Sequence, residues 1–175
     1  MALSYRSSLP PLRPPPRPPP PPVEVRDGRL ALAPPSAAGV FEGYASLFGV
    51  VDLGRDMVMP GAFAESLARR GVSGVRLLWQ HDPAEPIGAW TALREDARGL
   101  FARGRLNMGV ARARELVALM RQGAVDGLSI GFKVGGARTD PRSGVRRLHK
   151  VDLWEISLVT FPLLPQARVA AVKAR

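Results

Sequence analysis

A chain of 175 residues with 46% apolar residues is long enough for one domain with a real core and too apolar for general disorder. It has no cysteine and only two histidines, His81 and His149, which excludes disulfides, thiol catalysis and Cys-zinc sites and argues against a histidine-rich metal centre. The net charge of +10 comes mostly from arginines scattered along the chain, without a basic run interleaved with aromatics, so charge alone does not point to specific nucleic-acid binding.

No apolar stretch approaches the ~20 residues that cross a bilayer, and the N-terminus lacks the apolar core of a secretory signal. The expectation is a soluble intracellular protein without a membrane partner.

Residues 1–22 hold ten of the 18 prolines, in "PPLRPPPRPPPPP". Proline fixes φ and lacks an N–H, so this stretch reads as an extended, disordered arm. The folded domain is expected over 23–175. Within it "VEVRDGRLAL" reads as a hairpin around Asp27-Gly28, and "GVFEGYASLFG" as an extended segment. "GAFAESLARR", between Pro60 and Gly71, reads as a short helix with proline in its first turn. "GVRLLWQH" is a strand, and "IGAWTALRED" and "GLFARGRL" form a hairpin through Ala97 to Gly99. In residues 110–122, Ala113, Leu116, Val117 and Met120 fall at i, i+3, i+4 and i+7, predicting a helix that Gly123 stops. "GLSIGFKV" and "RRLHKVDLWEISLVTF" close the series as strands. The class is α+β, with a mainly antiparallel, barrel-like sheet and two helices.

"GLSIGF" contains a G-x-S-x-G match at Gly127 to Gly131. A lipase-type nucleophile elbow needs a strand, a sharp turn and then a helix, whereas here the strand continues into Phe132-Lys133-Val134. Alternation puts Leu128, Ile130 and Phe132 on one face and Gly127, Ser129 and Gly131 on the other. That second face presents a hydroxyl with no side chain on either flank, a gap into which a substrate backbone could come. It is equally the pattern of a bulge or close strand crossing.

A serine nucleophile needs a base. "VRLLWQHD" places Val75, Leu77, Trp79 and His81 on one strand face, with His81 at the end, where an imidazole can be half-exposed. His149, flanked by Arg147 and Lys150, sits in surroundings that disfavour an imidazolium. In "LWEISLVTF", Trp154, Ile156 and Leu158 form one apolar face, and Glu155 shares the other with Leu153, Ser157 and Val159. A carboxylate in so apolar a strand needs a partner, either a histidine N–H or one of the many arginines.

"MPGAFAESL", "LLWQHDPAEPIGAW", "DGLSIGF" and "LWEISLVTFP", in this order, resemble the prohead protease family of tailed phages and related gene transfer agents. The resemblance spans roughly residues 40–170. It implies a serine endopeptidase with a fold related to the herpesvirus assembly protease, and no metal or small-molecule cofactor. The family's histidine and serine fall on His81 and Ser129, and its acidic third member on Glu155. The herpesvirus relatives use a second histidine, which keeps His149 as the alternative. The implied partners are the major capsid protein with its scaffolding segment, the portal and other copies of the protease, inside the assembling prohead in the host bacterial cytoplasm. A non-catalytic capsid-assembly protein and a serine esterase are the competing readings.

Overall fold

The protein is described here by a computed structural model covering residues 25–26, 29–30 and 39–170; the proline-rich arm lies outside the described residues. The expected hairpin near the start is present as β1 (Val25–Arg26) paired antiparallel with β2 (Arg29–Leu30), its Asp27-Gly28 turn lying outside the described residues. The remaining elements are β3 (Val40–Leu47), β4 (Asp56–Val58), α1 (Ala64–Arg70), a 3₁₀ turn (Val72–Gly74), β5 (Arg76–Trp79), β6 (Asp82–Glu95) and β7 (Gly99–Leu106). They are followed by α2 (Ala111–Arg121), β8 (Gly127–Thr139), β9 (Arg146–Val159) and β10 (Val169–Ala170).

Eight strands form one curled sheet, in the order β10-β3-β7-β6-β5-β9-β4, with β8 also paired to β9. β8 lies along one edge of β9, and on the other edge β5 pairs with its C-terminal half and β4 with its N-terminal half. The two ends of the curl are tied by the segment entering β10. The Leu128 N–H donates to Ala167 O (2.9 Å) and the Val169 N–H to Asp126 O (2.8 Å), while Val169 pairs with Gly43 of β3. The barrel-like, mainly antiparallel α+β expectation is met, with one addition. β4 and β5 each run parallel to β9.

The interior is aliphatic and aromatic. Phe41, Phe63, Leu77, Ile87, Leu100, Leu106, Leu116, Leu128, Leu148, Leu153, Ile156 and Leu158 are all fully buried. Each such side chain contributes roughly 1.5–3 kcal/mol on leaving water. α2 packs on β6 and β7 through Ala113, Leu116, Val117 and Met120, the four residues its periodicity selects. It ends where Gly123 takes a left-handed φ of 72°.

α1 begins at Ala64 rather than next to Pro60, and residues 60–63 form the turn that leads into it. It is fastened to β9. Ser66 Oγ, buried, accepts the Leu153 N–H (2.9 Å), and Arg70 makes a two-pronged contact with Asp152 at 2.9 and 2.8 Å. Foremost among the causes, the Arg70 hydrogen bonds hold the Asp152 carboxyl far below the usual carboxylate range.

The strand-face reading of β9 needs one correction. Between Glu155 and Leu153 the pairing with β8 slips by a residue, so Trp154 occupies a bulge. Trp154 therefore faces outward, 45% exposed and flanked by Arg70 and Lys133, and not inward with Ile156 and Leu158.

Candidate active site

Three adjacent strands, β5, β9 and β8, bring the predicted residues together. Ser129 on β8 is directly opposite Ser157 on β9, and Gly131 is opposite Glu155. On the far side of β9, Leu78 and Trp79 of β5 pair with Ser157 and Leu158. Neighbouring strands lie ~4.8 Å apart, so a side chain leaving the end of β5 can reach across β9 to β8. His81 makes that reach.

It does so from a turn, which differs from the strand face that alternation suggested. Gln80 and His81 form the two-residue loop between β5 and β6, with φ of 51° and 61°. Positive φ at both positions marks a type I′ hairpin loop, normally filled by Asn-Gly or Gly-Gly. For two residues with full side chains it is a strained choice, costing on the order of 1–3 kcal/mol each. The loop is pinned from β9 and just beyond it. The Gln80 N–H donates to Leu158 O (3.0 Å), the Gln80 Nε2–H to Thr160 Oγ1 (2.8 Å), and the His81 N–H to Ser157 Oγ (3.1 Å).

His81 Nδ1 lies 2.6 Å from Glu155 Oε1, and His81 Nε2 lies 2.9 Å from Ser129 Oγ. An ionised carboxylate only accepts hydrogen bonds, so the proton of the neutral ring belongs on Nδ1. Nε2 is then left with a lone pair facing the Ser129 hydroxyl. The Glu155 hydrogen bond raises the imidazole pKa above its ordinary value, partial burial opposes the shift, and the carboxylate's charge adds to it. Ser129 is 8% exposed, whereas the His81 side chain is about half open to solvent.

The glycines flanking Ser129 are filled from the protein's own side. A Cβ on Gly131 would lie 1.9 Å from Glu155 Oε1, and one on Gly127 would lie 2.6 Å from Val159 O and 2.8 Å from the Pro162 ring. Gly131 thus makes room for the carboxylate and not for a substrate backbone. A small cleft beside Ser129 is lined in part by Ser46, Val50, Ile130, Phe132 and Leu163.

Glu155 pairs with the histidine and not with an arginine. Its second oxygen, Oε2, accepts the hydroxyl of Ser157 (2.7 Å). Ser157, 0% exposed, is a member of this group that sequence reasoning passed over as one more residue of an apolar strand. Its sequence signal was its i+2 position to Glu155, which puts both on one face.

His149 is exposed and lines a groove with Arg138, Arg142 and Arg147 towards the tip of the β8–β9 hairpin. It lies eight residues along β9 from Ser157, ~25 Å at strand rise. Ser129, His81 and Glu155 are brought together; His149 is not. Among the described residues no cluster of three His, Asp or Glu side chains is arranged to hold a metal ion, and no helix is long and apolar enough to cross a membrane.

Comparison with known proteins places the chain in a family. The chain is 40% identical over 141 residues to the prohead protease of Enterobacteria phage HK97, covering 78% of this chain and 61% of that protein. In fold it is similar to the capsid assembly protease of bacteriophage T4 (TM-score 0.58, 16% identity, 69% of this chain and 80% of the other). The KSHV protease aligns with a TM-score of 0.49 at 13% identity, over 74% of this chain and 63% of that one. The model of the caudovirus prohead serine proteases matches residues 30–175. The chain belongs to the caudovirus prohead serine protease family.

Proposed function

We propose that this chain is a serine endopeptidase of phage-type head maturation, with Ser129 as nucleophile, His81 as general base and acid, and Glu155 as the carboxylate that orients and charges the histidine. The observation that carries the reading is the continuous hydrogen-bonded line from Ser129 Oγ through His81 to Glu155, at 2.9 and 2.6 Å.

As the Ser129 oxygen attacks a peptide carbonyl, its proton passes to His81 Nε2. The imidazolium so formed is stabilised by Glu155 at Nδ1. The tetrahedral adduct collapses, the C–N bond breaks, and His81 returns the proton to the leaving amine. Water, deprotonated by the same nitrogen, then attacks the ester carbon, the bond to Ser129 Oγ breaks, and His81 returns the proton to that oxygen. The chain's own residues supply every proton transfer in this scheme.

The substrates we infer are the major capsid protein with its scaffolding segment, the portal protein and other copies of the protease. The site of action is the interior of the assembling prohead in the host bacterial cytoplasm. The kinship with a prohead protease supports this reading. A fluorophosphonate probe tests the chemistry without knowledge of the cleavage site. It should attach to Ser129 and to no other serine, and attachment elsewhere or not at all would overturn the assignment.

A further inference from the structure

We propose that Ser157 is a positioning residue of this active site: its one hydroxyl fixes both the histidine-bearing turn and the carboxylate, and so sets the line along which Ser129, His81 and Glu155 meet. The inference rests on the catalytic reading above and goes beyond it, because the hydrogen bonds of the Ser157 hydroxyl run to His81 and Glu155 and not to the nucleophile.

The Ser157 hydroxyl has two partners. It accepts the His81 backbone N–H (3.1 Å) and donates its own hydrogen to Glu155 Oε2 (2.7 Å). A serine hydroxyl has one donor and two acceptor sites, so both roles are met without conflict. Ser157 is 0% exposed, so water does not stand in readily for either bond.

Each end of this bridge needs holding. His81 stands at φ 61° beside Gln80 at φ 51°, a conformation that neither residue favours and that must be over-determined by its surroundings. The Ser157 contact holds the backbone N–H of the very residue that carries the imidazole. At the other end, Glu155 has two oxygens and a flexible stem. With Oε2 bound to Ser157, Oε1 is presented to His81 Nδ1 at 2.6 Å. Without it, the carboxylate keeps, among the described residues, only the contact to His81 Nδ1 and can turn about its stem.

The place of Ser157 in the sheet explains why one residue can do both. It sits on the middle strand of the three, opposite Ser129 of β8 on one side and paired with Leu78 of β5 on the other. A hydroxyl here is close to all three chains. A merely structural serine would show the same burial but would not join the two members of the line that must be aligned to each other.

The test uses the full chain and the rate at which a fluorophosphonate probe attaches to Ser129, measured across pH. Ser157→Ala and Ser157→Cys remove the strong donor, and the second keeps most of the volume should the first fail to fold. With melting unchanged, attachment should slow by about 10- to 100-fold, the scale of a small misplacement at a reacting centre. The acidic limb of the pH–rate profile should move to lower pH as the Glu155 contact loosens. In a Glu155→Gln background the same substitutions should cost less than in wild type, because one of the two roles of the hydroxyl, holding that carboxylate, is already impaired. A folded Ser157 variant that reacts at the wild-type rate with an unmoved limb would overturn the proposal, as would an equal loss in both backgrounds. If the wild-type chain itself fails to label at Ser129, the catalytic reading falls and not merely the role of Ser157.

Discussion

Gly131 of β8 and Glu155 of β9 face each other across the strand pair, and the Glu155 carboxylate fills the volume in which any other residue at 131 would carry its Cβ. Ser129 is two residues away on the same strand face, so the missing side chain at 131 and the hydroxyl at 129 belong to one arrangement.

Gly131→Ala is therefore expected to leave the fold standing and disable the site. The added Cβ would lie 1.9 Å from Oε1, at the mobile end of a side chain, so Glu155 moves and the backbone does not. A shift of ~1 Å at such a centre costs on the order of 10²-fold in rate. Circular dichroism should match wild type while fluorophosphonate attachment falls.

Glu155→Gln keeps the shape and removes the charge that stabilises the imidazolium. In a Ser-His-Asp triad the comparable change costs roughly 10⁴-fold, and a loss of that order is expected in the time course of capsid-protein cleavage. His149→Ala should cleave at close to the wild-type rate, since His149 lies among Arg138, Arg142 and Arg147 at the far end of the hairpin. A silent Glu155→Gln beside an inactive His149→Ala would favour a two-histidine arrangement instead.

The rate should rise with pH around a midpoint above the ordinary imidazole value of ~6.5, because the base must be neutral and Glu155 raises its pKa. Glu155→Gln should move that midpoint down. The stability consequence has the opposite sense. A folded-state pKa above the unfolded one contributes stability in full below pH ~6.5, and that contribution is lost as pH rises through the raised value. The melting difference between wild type and His81→Asn should be wider at about pH 5.5 than at about pH 8.

Much of this was legible in the residues. The four buried positions of α2 follow from a 3.6-residue period, and the predicted trio Ser129, His81 and Glu155 meets in space. The resemblance of four ordered motifs singled out the acid where the residues alone left histidine and arginine as alternatives. What was not legible has physical causes. Period-two alternation carries no strand direction, so the parallel pairing of β4 and β5 with β9 was invisible. Alternation also assumes an unbroken strand, and it failed at the Trp154 bulge and at the left-handed Gln80-His81 turn. Gly131 reads as an open gap until the side chain filling it is known. Ser157 is small and sits in an apolar strand, so nothing but its distance from Glu155 marks it.

Co-expression of the chain with the major capsid protein of the same head, with wild type and Ser129→Ala compared on a gel, tests whether Ser129 is the nucleophile. Triad members act as a unit, so Ser129→Ala, His81→Ala and the double variant should all leave the capsid protein at full length. Wild type should convert it to a shorter form. Processing that continues undiminished with folded Ser129→Ala would contradict the account.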